Sequence, residues 1–193
     1  MSSVISAEKA GRAIGAMFFA FFGAAWLAWW CLERFGVAPE ILAAIGAGAI
    51  AIFLRALWQF RQNRAALAAE AETPEAKSAR KLFSLVNAGQ WIAVFVVALV
   101  LALTGHPEWI RVAIMFIVGV HFLPLAAAFR YRWHYATGGA LILLSVVYPF
   151  ATATGPLNPV GLLGAGLILW AAALIALSPF SLAPAGGTPK SAP

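Results

Sequence analysis

Apolar residues run through this chain in long blocks, and most charged residues fall between the blocks or at their ends. A helix needs about 20 apolar residues to cross the hydrocarbon core of a bilayer. No charge occurs between Arg12 and Glu33, which predicts a first span over 13–32. A second is predicted over 39–60, with Glu40 at its start and Arg55 inside it. The third, 82–105, is uncharged, and the fourth, 108–129, carries Arg111 in its first turn. From Arg132 to Lys190 there is no Lys, Arg or Glu, a block too long for one crossing. Gly155-Pro156-Leu157-Asn158-Pro159 divides it, because two prolines and a glycine in five residues stop a helix. Spans five and six then cover 135–154 and 159–178. The fold class is all-α, an integral membrane bundle of six transmembrane helices arranged as three antiparallel hairpins. It forms one domain over 1–178, and the Pro-, Gly- and Ser-rich segment 179–193 is predicted to be a disordered cytoplasmic tail.

The hairpin turns share a chemistry. Gly36-Val37-Ala38-Pro39-Glu40, Gly105-His106-Pro107-Glu108 and Gly155-Pro156-Leu157-Asn158-Pro159 each place Gly after one helix and Pro at the start of the next. Common turn requirements explain the likeness, with a threefold hairpin repeat as the alternative. On the other side, Arg61 to Glu72 is Ala-rich and extends the second helix beyond the bilayer. Thr73 can cap a new helix with Pro74 at its first position, and that helix runs through Lys81 into span three.

Charge then orients the bundle. Lys9, Arg12, Arg55, Arg61, Arg64, Lys77, Arg80, Lys81, Arg130, Arg132 and Lys190 lie on the side of the two termini. Arg34 and Arg111 lie on the other. The richer side is expected in the cytoplasm, so the chain reads as a multi-pass protein of the cell membrane with both termini cytoplasmic. Trp29, Trp30 and Trp109 mark the outer interface, and Trp58, Tyr131, Trp133 and Tyr135 the inner one. Span one follows Lys9 and Arg12 as a signal peptide would. It is longer than a signal core and ends in Trp26, Trp29 and Trp30, so it reads as a retained helix.

Composition narrows the function classes. The net charge of +6 comes from basic residues that punctuate apolar spans rather than cluster on a polar surface, which argues against nucleic acid and for lipid as the partner. One cysteine, Cys31, excludes an internal disulfide and a cysteine-based metal site. No metal-binding, nucleophile-elbow or phosphate-cradling motif is present, so neither cofactor nor catalytic set is expected. Gly11, Gly15, Gly23, Gly46, Gly48, Gly161 and Gly164 allow close helix packing. They serve internal contacts or a homo-oligomer.

Polar residues inside a span are costly and each needs a reason. At 1.5 Å per residue, Gln90 and His121 lie roughly 12 Å and Ser145 roughly 15 Å from the cytoplasmic end of their spans. Asn87 and Arg55 lie roughly 7–8 Å in. Three helices thus place polar groups at similar depth. His121 is the proton-sensitive candidate, because an imidazole titrates near neutral pH. Pro124 removes a backbone donor and frees the Val120 carbonyl one turn back. Asn87 and Gln90 share a helix face and can orient a small polar or ionic ligand. Arg55 either snorkels to the interface or faces a vestibule.

The segments Asn87-Ala88-Gly89-Gln90-Trp91-Ile92-Ala93 and Gly119-Val120-His121-Phe122-Leu123-Pro124-Leu125-Ala126 resemble a group of small bacterial multi-span membrane proteins. The resemblance covers spans three to five best. It implies a multi-span fold, marks Asn87, Gln90 and His121 as motif positions, and brings no activity. Two functions therefore compete. One is a small-molecule or proton-coupled transporter with its site at His121, Gln90, Asn87, Ser145 and Arg55. The other is a structural or assembly partner whose polar layer is interhelical packing. Transport predicts a cavity at the polar layer and a helix broken at Pro124, and packing predicts the same side chains paired in a dry interior.

Overall fold

The computed structural model describes residues 2–179, and the tail expected over 179–193 falls, apart from Pro179, outside them. Six α-helices follow in order: α1 Ser2–Phe35, α2 Pro39–Glu70, α3 Pro74–Leu103, α4 Ile110–Ala128, α5 Trp133–Ala151 and α6 Val160–Leu177. All six are long and apolar enough to cross a membrane. The chain has the all-helical architecture of a multi-pass membrane protein.

α1, α2 and α3 have 34, 32 and 30 residues, whereas α4, α5 and α6 have 19, 19 and 18. The excess, on the order of 15–20 Å at 1.5 Å per residue, projects from the face where α1 starts. That face, the basic face of the bundle, carries most of the Lys and Arg. The join between α2 and α3 is built as its sequence indicates. Thr73 Oγ1 accepts the Ala76 N–H at 3.2 Å, with Pro74 next in line. Arg80 donates from Nη2 to the Ala71 carbonyl at the end of α2.

Each turn on the opposite face holds its glycine in the left-handed region: φ is 71° at Gly36, 80° at Gly105 and 58° at Gly155. The α4–α5 turn on the basic face uses the same device with a different residue. Arg130 has φ 50°. The Tyr131 N–H bonds the Ala126 carbonyl at 3.0 Å and the Arg130 N–H bonds the Ala127 carbonyl at 3.3 Å, a Schellman closure. Between α3 and α4 a short 3-10 turn, Pro107–Trp109, takes up the first residues expected in span four.

α1 packs along α2 and α6, α6 reaches α5, α5 packs along α4, and α4 carries α3. The order across the bundle is therefore α2, α1, α6, α5, α4, α3. Two glycine-based crossings set it. Trp170 of α6 fills hollows at Gly23 of α1 and Gly48 of α2, and its Nε1 donates to the Ala20 carbonyl at 3.2 Å. A Cβ on Gly48 would stand 2.7 Å from the Trp170 ring. Between α4 and α5, a Cβ on Gly138 would stand 2.6 Å from the Gly119 carbonyl, so these two backbones approach as only glycine permits. The core joins Phe19, Ile52, Met115, Phe122, Leu141, Tyr148, Leu162 and Leu169, drawn from every helix except α3. α3 has no buried residue, and its half-buried positions, among them Asn87, Gln90, Val94, Val97 and Leu101, form one stripe against α4.

Candidate functional site

The polar layer lies where α3 meets α4. Phe83 and Phe129 rings touch near the basic face, with centroids 6.1 Å apart. Seven residues inward along α3 and eight along α4 bring Gln90 and His121 level with one another. Gln90 Oε1 and His121 Nδ1 are both buried and neither makes a hydrogen bond of good geometry among the described residues, although the His121 imidazole lies against the backbone of Val118 in its own helix. Asn87 sits one turn nearer the basic face on the same stripe and is half-buried. Interhelical packing predicted these groups paired with each other. A buried polar atom without a partner costs about 1–3 kcal/mol, and the two side chains make no hydrogen bond to each other.

Ser145 does not join them. The crossing at Gly119 and Gly138 sets the α4–α5 register and carries Ser145 toward the opposite face. There it lines a groove with Val112, Ala113 and Phe116 of α4. Its hydroxyl donates to the Ile142 carbonyl of its own helix at 2.7 Å. Depth counted from span ends missed this offset because α5 starts at Trp133, two residues before the predicted span. Arg55 is exposed, stands 4.8 Å over the Trp58 ring and donates to Gln59 Oε1 at 3.4 Å. It is on α2, with α1, α6 and α5 between it and the α3–α4 layer. Pro124 lies within α4, which runs unbroken from Ile110 to Ala128.

Two groups escaped the sequence reading. His134, in the first turn of α5, stacks on Phe122 with centroids 5.5 Å apart and stands edge-on to Tyr131 at 4.9 Å. Phe122 also meets the His121 ring at 4.8 Å and Phe19 of α1 at 5.5 Å. The guanidinium of Arg12 lies 4.8 Å from the Tyr131 ring centroid. A sequence signal existed: Tyr131, Trp133 and His134 crowd a turn that two arginines border. The second group is Glu33 with Arg111. Arg111 donates from Nη1 at 2.6 Å and from Nη2 at 2.9 Å to the two carboxylate oxygens. Trp29 Nε1 donates to Glu33 at 2.8 Å, and Arg111 lies 5.3 Å from the Trp29 ring centroid. This fork joins α1 to α4 on the opposite face, and no local pattern could pair residues 78 positions apart.

Compared with known proteins, the chain matches no family model, no curated protein and no solved structure.

Proposed function

We propose that this chain is a small transporter of the cell membrane, with both termini in the cytoplasm and a proton-sensitive site at His121 and Gln90. The observation that carries the reading is the pair of buried polar atoms, Gln90 Oε1 and His121 Nδ1, that lie at one level of adjacent helices without a hydrogen bond of good geometry. In this reading the His121 imidazole is the group that binds and releases the proton, and Gln90 and Asn87 orient the ligand. Orientation is supported by the basic residues gathered where α1, α2 and α3 project.

The full chain in liposomes with a lumenal pH dye tests this. Under an imposed potential, wild type carries protons faster than empty vesicles, and His121→Phe falls about 10²-fold, the loss typical of removing a proton-transfer group. Wild-type flux equal to that of empty vesicles would sink the transport reading. A second reading, an assembly partner, draws support from α3, which has no buried residue and is held chiefly by α4. Efficient cross-linking of α3 to another protein, with no flux, would favour it.

A further inference from the structure

Two shallow, open grooves lie in line with the polar pair along the α3–α4 seam. One, of about 450 Å³, sits at the basic end and is lined by Pro74, Glu75, Ser78, Ala79, Leu82 and Ala128. The other, of about 390 Å³, lies toward the opposite face between α3 and α5 with α4 as its floor. Its walls include Val97, Leu101, Phe116, Val146 and Phe150, and they are almost wholly apolar. Val94, Val97 and Leu101 continue the stripe of α3 that carries Gln90. From Gln90 to Leu101 the helix rises roughly 16 Å. The rim faces the surroundings of the bundle: Phe150 is 79% and Val146 51% exposed.

We propose that this seam binds a single-chain amphiphile entering sideways from the bilayer, with its hydrocarbon chain in the apolar groove and a weakly polar head at Gln90 and His121. The proposal rests on the site assigned above and names its ligand class. The head is a hydroxyl or a protonated carboxyl, for two reasons. An O–H at this level can donate its hydrogen to Gln90 Oε1, and its oxygen can accept an N–H from the His121 imidazole. The pair also lies well inside the span, where a permanently charged head would be costly without a counter-charge. The groove at the basic end gives such a head a partly polar path from the interface, past Ser78 and Glu75. Because α3 buries no residue and leans chiefly on α4, the seam can admit a chain without disturbing the core.

The test is photolabelling of the full chain in phosphatidylcholine vesicles, using a long-chain alcohol with a diazirine in its tail and peptide mapping of the adducts. Adducts should concentrate in 94–101, 112–116 and 146–150, and excess unlabelled alcohol should displace them. A quaternary ammonium compound with the same tail should not compete. Gln90→Leu with His121→Phe should cut groove labelling about tenfold, the effect of losing a hydrogen-bonded head. Even labelling of the lipid-facing residues of α1 and α2, or labelling indifferent to the double substitution, overturns the proposal. Elution of the variant as wild type by size exclusion separates lost binding from lost folding. His121-dependent proton flux with even labelling defeats the amphiphile and keeps transport. Groove labelling without flux keeps the site and defeats transport.

Discussion

Arg130 is the residue at which local chemistry and backbone disagree most. Its φ of 50° belongs to the region that the glycines occupy in the three other tight turns. A β-branched residue there is strained, so Arg130→Val should lower stability by about 1–3 kcal/mol, whereas Arg130→Gly should leave it unchanged or raise it. Thermal unfolding in detergent measures both. Arginine at this position costs conformational energy and places a cation on the face with most of the others. At the polar layer the sign reverses. Gln90→Leu removes an unpartnered buried oxygen and should stabilise the protein by about 1 kcal/mol or more while weakening the proposed binding. A loss of stability on this substitution would mean that Gln90 bonds something within the fold.

At the scale of elements, the crossings rather than the helices themselves are demanding. Gly138→Ala forces a methyl against the Gly119 carbonyl, a backbone atom that cannot step aside. It should cost about 1–3 kcal/mol, as overpacking does. Gly89→Ala points into open space on α3 and should instead gain roughly 0.5–1 kcal/mol from helix propensity. Unfolding of the two variants side by side checks the contrast. The Glu33–Arg111 fork is the clearest polar tie between α1 and α4, helices that do not pack along their length. Side-chain exposures of 27% and 12% place it between surface and buried pairs. A double-mutant cycle with Glu33→Gln and Arg111→Gln should therefore return a coupling of about 1–2 kcal/mol, above exposed pairs and below buried ones. A coupling near zero would show that Trp29 and the α5–α6 turn hold these ends without the charges.

At the scale of the molecule, topology is the quantity to measure. With Cys31→Ser as background, Val37→Cys should react with a membrane-impermeant thiol reagent on intact cells. Ala68→Cys should react only after permeabilisation. The reverse pattern would invert the proposed orientation and put the basic projection outside. The six helices, their hairpin order, the Thr73 cap and the continuation of α3 through Lys81 were all legible in the sequence. Each depends on local periodicity, charge spacing or turn chemistry within a few residues. The contact of Arg55 with the Trp58 ring is local in the same way, three residues along one helix. Helix order across the bundle was not legible, because it depends on which glycine receives which side chain. Trp170 seats between Gly23 and Gly48, and Gly119 meets Gly138. Those crossings moved Ser145 away from the polar layer, brought His134 against Phe122, and joined Glu33 to Arg111. A depth along one helix is a property of the chain. The partner at that depth depends on the register between helices, and that is decided by packing among residues far apart in sequence.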